Sequence, residues 1–240
     1  MKALLAVTVA AVLLSQDAPK DPDARPFTDT FMVDEKDLAS TGRNPYFILE
    51  PGYQLVLENP ARKEVLTITV LDETRKIGAV ETRIVEERET VDGKETEVSR
   101  NYFALCRRTN SVYYFGEDVD VYKDGKVVSH AGAWLAGVDG ARPGLLMPGR
   151  PLNGARYYQE IAPGVALDRA EHRDDKATVE TPAGAFENCL VVVETSPLEP
   201  GHESLKAYAR GIGLVQDDVL KLVKHGARRH DSDRDGKSDN

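Results

Sequence analysis

The sharpest chemical pattern in the chain is His230-Asp231-Ser232-Asp233-Arg234-Asp235-Gly236-Lys237-Ser238-Asp239-Asn240, in which acids alternate ahead of a glycine. Oxygen ligands at positions 1, 3 and 5 of a calcium loop have this spacing, and the glycine permits the sharp turn that brings them together. Asp231, Asp233, Asp235 and Asp239 are therefore the candidate metal ligands. The run lacks the bidentate Glu that completes such a shell. It also occurs once, whereas the Asp-rich calcium repeats of secreted proteins work in arrays. Weak calcium binding and a solvated acidic tail are both consistent with it, and no other cofactor is expected.

Elsewhere the reactive residue types are dispersed. His130, His172, His202, His225 and His230 show no His-x-His or His-Glu-x-x-His spacing, so no metal site follows from local geometry. Glu171-His172-Arg173-Asp174 is the most polar cluster within strand-like sequence. Neighbours in a strand point to opposite faces, so Glu171 and His172 do not cooperate there, and solvated surface charge is the expectation. The chain has no nucleophile elbow, phosphate loop or dinucleotide fingerprint, because Gly211-Ile212-Gly213 leads into a strand. With 40 acids present, two carboxylates can always be chosen, and nothing in the sequence fixes their separation.

The elements that must position these groups read as β. Leu66, Ile68 and Val70 share one face, with Thr67 and Thr69 on the other. Val80 to Thr90 and Glu95 to Leu105 flank Asp92-Gly93, and Val112 to Tyr122 and Lys126 to Ser129 flank Asp124-Gly125. The dipeptide accepts positive φ, so two hairpins are predicted. Further strands are expected at Tyr157 to Ile161, Ala170 to Glu180, Leu190 to Thr195, Ser204 to Ala209 and Gly213 to Lys224, between Pro/Gly turns. The expected fold is mainly β, an antiparallel meander forming a barrel, half-barrel or sandwich. Ala131 to Pro151 is expected as one long covering loop, with Trp134 either its packing plug or a ligand contact.

A chain of 240 residues with 41% hydrophobic content can bury a proper core. The net charge of -9 makes its surface repel phosphate backbones, so nucleic acid is not an expected partner. Met1-Lys2 followed by the apolar run Ala3 to Leu14 has the layout of a secretory signal. That run is too short to span a bilayer comfortably, so no membrane span is expected in the mature chain. The organisation read from this is a signal peptide at 1–16, a linker at 17–43, one β domain at 44–225 and an acidic tail at 226–240. An exported chain, periplasmic or extracellular, puts Cys106 and Cys189 in an oxidising compartment. They form either one disulfide or two separately buried thiols.

Several segments form an ordered set: Asn44-Pro45-Tyr46-Phe47-Ile48-Leu49-Glu50-Pro51-Gly52, Phe115-Gly116-Glu117-Asp118, the Gly137 to Gly144 loop, Pro182-Ala183-Gly184-Ala185-Phe186-Glu187-Asn188-Cys189, Pro197-Leu198-Glu199-Pro200-Gly201 and Tyr208-Ala209-Arg210-Gly211-Ile212-Gly213-Leu214-Val215. Together they resemble a family of uncharacterised exported bacterial proteins, over about residues 44 to 216. The resemblance implies an envelope-type β domain and brings no established activity with it. Members commonly carry adjacent Glu and Asp after a Tyr-Tyr pair. Here Tyr157-Tyr158 is followed by Leu167-Asp168, which keeps one acid of the two.

The leading functional expectation is a non-catalytic binding domain for an apolar small molecule or an envelope protein partner, with Trp134, Tyr157 and Asp168 as ligand-contact candidates. The alternatives are a secreted hydrolase using acids and a histidine near Asp168, Glu171 and His172, and a cell-surface structural module stabilised by calcium.

Overall fold

The computed structural model describes residues 25–228. The segment 1–16, expected from the sequence to be a signal peptide, and the candidate calcium ligands Asp231, Asp233, Asp235 and Asp239 lie outside the described residues.

A single 3-10 turn, Glu35–Asp37, precedes the strands. These are β1 (Leu38–Ala39), β2 (Gly42–Asn44), β3 (Phe47–Leu49), β4 (Tyr53–Asn59), β5 (Glu64–Ile77), β6 (Val80–Val91), β7 (Lys94–Cys106), β8 (Val112–Lys123) and β9 (Lys126–Ser129). They continue with β10 (Trp134–Leu135), β11 (Arg142–Met147), β12 (Arg156–Tyr158), β13 (Glu160–Ile161), β14 (Arg169–Thr181), β15 (Gly184–Thr195), β16 (Glu203–Ala209), β17 (Gly213–Asp217) and β18 (Leu220–Ala227). Among the described residues no helix is long and apolar enough to cross a membrane.

The main sheet runs in the order β12, β14, β15, β16, β17, β18, β4, β5, β6, β7, β8, β11, β13. Its first and last strands are one stretch of chain interrupted only by Gln159, so the sheet returns to its own start as a nearly closed barrel. At the junction the Gln159 and Glu160 amides both donate to the Asp168 carbonyl, at 2.7 and 3.3 Å. A closed sheet leaves no long edge to pair with another chain. The Asp-Gly turns behave as their chemistry requires. Asp92 and Gly93 (φ 54 and 74) and Asp124 and Gly125 (φ 53 and 73) all take the left-handed conformation that matches hairpin twist.

Antiparallel neighbours place successive connections at alternate ends of the barrel. One end holds the turns after β4, β6, β8, β15 and β17, and the other those after β5, β7, β14 and β16. The β2–β3 hairpin closes the second end. Gly211 N–H donates to the Pro45 carbonyl at 2.7 Å, and the Asn44 side-chain amide donates to the Asn110 and Pro148 carbonyls at 2.7 and 3.0 Å. Phe47 then meets Phe103 edge-on inside the barrel, at 5.1 Å between centroids. The main core gathers the alternate apolar residues of the staves, among them Leu57, Leu66, Val85, Leu190, Val192 and Leu222. Full burial of each such side chain stabilises by roughly 1.5–3 kcal/mol.

Three segments differ from the sequence expectations, and the two cysteines take one of the two arrangements left open for them. The stretch read as a linker is attached from Arg25 onward. Thr28 bridges Tyr157, Phe31 packs on Tyr113, and β1 pairs with the end of β7. Scattered apolar residues among Asp and Pro were enough to anchor it. Within Ala131 to Pro151, Trp134–Leu135 and Arg142–Met147 are strands, and the second is a stave of the barrel. Pro143 and Gly144 disguise it, because a barrel stave in so tight a place needs a residue without a side chain. Gly213 to Lys224 is two strands, with Asp218 (φ 47) making the turn and its carboxylate accepting from Leu205 N–H at 2.6 Å. Finally, Cys106 and Cys189 are both buried and both free, in separate clusters, so no disulfide links them and separate burial is what the fold contains.

Closure depends on close backbone approach at Gly144, where a Cβ would sit 2.1 Å from the Gln159 carbonyl oxygen. Gly144→Ala is expected to destabilise by at least ~1–3 kcal/mol, the usual cost of overpacking, read as a lowered urea midpoint. An unchanged midpoint would show that β11 and β13 do not approach this closely.

Candidate interior binding site

The two-residue alternation of the strands places an unusual set of groups inside the barrel. A cavity of about 210 Å³ occupies the interior. Toward the end plugged by the β2–β3 hairpin its wall is apolar, formed by Phe47, Leu55, Val70, Phe103, Tyr114, Tyr208 and Leu214. Toward the other end it carries Glu87, Glu97, Glu117, Glu160, Asp168, Glu194 and Asp217, with Lys206 as the one cation in the lining. Most of the apolar wall is buried, and the charged side chains are half-buried. The cavity is thus apolar at its closed end and polar at the other.

Register explains the gradient. On β7 the inward residues Glu97, Ser99, Asn101 and Phe103 pass from the open end to the closed end. Glu87 on β6 stands opposite Ser99, and Glu117 on β8 stands opposite Asn101. On the far wall Asp217 pairs with Lys206, while Tyr208 and Leu214 lie nearer the plug.

Part of the charge is compensated. Lys206 Nζ lies 3.0 Å from Glu194 and 3.7 Å from Asp217. Gln159 donates to Glu194 at 2.9 Å, and Trp134 Nε1–H donates to Glu160 at 3.1 Å. The remaining carboxylates are crowded and short of water, which disfavours their charged form. Burial pushes Glu87 up to about 7, with Lys206 pulling the other way. Burial likewise carries Glu117 up to about 8, reinforced by Glu87, Glu97 and Asp168 and opposed by the Tyr114 hydroxyl. Glu160 is held well above the ordinary carboxyl range by burial and by Glu117 and Asp168. Burial also raises Glu97, Asp168 and Asp217. Burial alone would lower Lys206, but Glu194 and Asp217 outweigh it and keep the ammonium charged.

The sequence candidates fall in different places. Asp168 lines the cavity. Trp134 is buried on the interior face opposite Glu117, packed edge-on against Tyr114 at 5.4 Å, and reaches the site through its hydrogen bond to Glu160. Tyr157 is buried, its hydroxyl 2.8 Å from His172 Nε2. His172 itself, expected on a solvated face, is fully buried in the wall, and burial depresses it to about 4, so it is neutral and tolerated there. Glu171 faces away and pairs with Arg156 at 3.2 Å, as strand alternation requires. Among the described residues no three His, Cys, Asp or Glu side chains converge as a metal site. Glu87, Glu97, Glu117, Glu160, Glu194, Lys206 and Asp217 were not anticipated. The available signal was phase, since Glu87 shares a strand face with buried Val85.

No family model, curated protein or solved structure matches the chain.

The raised carboxyls make stability depend on pH with a definite sign. The folded chain binds more protons than the unfolded one between 4.5 and about 7 at Glu87, so this group stabilises least at high pH. Stability is expected to fall as pH rises from 5 to 8. Glu87→Gln is expected to stabilise the chain at pH 8 by on the order of 3 kcal/mol, with little effect at pH 4. Urea unfolding across this range checks it, and a stability that rises with pH would reverse the assignment.

Proposed function

We propose that the protein is an exported, non-catalytic binding domain that holds a compact, partly apolar molecule inside its barrel. The observation that carries this is the graded cavity, plugged and apolar at one end and open and polar at the other. Such a chamber orients an amphipathic ligand, with its hydrocarbon part toward Phe103 and Tyr208 and its polar part toward the mouth. Small closed barrels commonly enclose a single ligand in this way. Its volume is below the roughly 300–1,000 Å³ of drug-sized pockets, which favours a small molecule. The motifs shared with exported bacterial proteins support the same placement, periplasmic or extracellular.

A hydrolytic role is the second reading, supported by Glu117. A carboxyl that stays protonated near neutrality beside other acids can serve as a general acid. His172 is fully buried and is not among the residues that line the cavity.

Native mass spectrometry of the protein purified from its own exported fraction is expected to show a bound small molecule, retained through gentle desolvation and identified after extraction. Ile68→Phe, which adds bulk to the lining, is expected to reduce that occupancy at least several-fold while leaving the circular dichroism of the sheet unchanged. A bare mass together with turnover of an ester or glycoside panel, abolished in Glu117→Gln, would favour the hydrolase instead.

A further inference from the structure

Glu87 and Glu97 differ from the other carboxylates of the cavity in having no hydrogen-bond or ion-pair partner among the described residues. Lys206 is committed to Glu194 and Asp217, and Trp134 to Glu160. Glu87, Glu97 and Glu117 lie on three consecutive strands. Ser99 stands opposite Glu87, which makes Glu97 its diagonal neighbour, and Glu117 follows one strand further on opposite Asn101. Glu87 and Glu97, diagonal neighbours on one face, are about 7–8 Å apart, within reach of a shared group between them, while Glu117 stands four residues along β8 from Val121, the residue opposite Glu97.

A second feature of the wall is independent of these acids. The aromatic rings form a continuous file from the plug inward, Phe47 on Phe103 at 5.1 Å, Phe103 on Tyr114 at 4.6 Å, and Tyr114 on Trp134 at 5.4 Å. Ring faces attract cations and accept hydrocarbon equally well. Carboxylates focused in a low-dielectric chamber raise the local concentration of positive charge. Because the acids are spread around the wall and do not converge on a point, the arrangement suits an organic cation whose charge lies at one end of a carbon body.

We infer that the cavity selects an organic amine, its ammonium held between Glu87 and Glu97 and its hydrocarbon laid against Phe103 and Tyr114. This rests on the binding-domain reading above and narrows the ligand's class. The occupant supplies the counter-charge that the wall lacks. It also makes binding sensitive to acidification, since protonating the wall removes the attraction. The groups facing the ammonium are Glu87 and Glu97, Glu117 and Tyr114 from β8, Glu160 and Asp168 at the closure, Glu194 from β15, Lys206 and Tyr208 from β16, and Asp217 from β17. With Glu87 at about 7 and Glu117 at about 8, the loss of attraction falls between pH 8 and pH 5, where an alkylamine keeps its charge.

The test uses three probes of one carbon length, hexylamine, hexanol and hexanoate, titrated calorimetrically into the full-length chain at pH 8 and pH 5. Hexylamine is expected to bind at least tenfold tighter than hexanol at pH 8, with hexanoate weakest, and to lose most of that advantage at pH 5. The double variant Glu87→Gln/Glu97→Gln, which removes like-charge crowding and so should fold, is expected to lose the preference for amine while keeping its affinity for hexanol. Equal binding of amine and alcohol, or a preference for hexanoate, overturns the cation inference and leaves the binding domain standing. Failure of all three to bind overturns both.

Discussion

The structure depends on enclosing seven carboxylates with one lysine inside a closed sheet. Water would ordinarily neutralise that repulsion by solvation, and a barrel interior supplies little of it. Lys206 answers part of the problem by pairing with Glu194 and Asp217, and Trp134 and Gln159 answer part by donating hydrogen bonds. What is left is met by protonation. Raising Glu87 from 4.5 to about 7 costs the folded state on the order of 3 kcal/mol at alkaline pH. A core made only for stability would replace such a residue with an apolar one, so its presence points to use.

That interior exists because the barrel closes, and closure is a matter of backbone contact more than of side chains. The strand that begins and ends the sheet is interrupted at Gln159, where two amides share the Asp168 carbonyl. The same residue therefore joins the seam through its backbone and lines the cavity through its carboxylate. Glycines at Gly144 and Gly116 let neighbouring backbone come where a Cβ would meet carbonyl oxygens at 2.1 and 2.4 Å. At the far end the β2–β3 hairpin substitutes for a cap, placing Phe47 against Phe103 so that the chamber has a floor. Fold and site are thus positioned by the same few contacts.

The strands were legible in the sequence because their signals are local. Asp92-Gly93 and Asp124-Gly125 adopt the turns that their chemistry favours, and alternation in Leu66, Ile68 and Val70 marks a wall strand. The stave Arg142–Met147 was hidden because its Pro and Gly, which mimic a loop, answer to a neighbour fifteen or more residues away. The site was hidden for a related reason. A glutamate reads as solvated whichever face it occupies, and only barrel closure turns the inward face of β6, β7 and β8 into an interior. Asp168 was anticipated through the resemblance. Trp134 and Tyr157 were noticed as large aromatics, and register places both on the interior face of the sheet, paired in line with Glu117 and Glu194. His172 shows the opposite error, a polar residue within a charged run that alternation carries into the core.

The measurement closest to the central claim is carboxyl-carbon NMR titration of the glutamates in the folded chain, with Glu87→Gln and Glu117→Gln used for assignment. Two resonances titrating near 7 and 8, each absent from its own variant, are the predicted result. Glutamates that all titrate close to 4.5 would mean that the interior is as wet as the surface, and the enclosed carboxylate chamber would have to be abandoned.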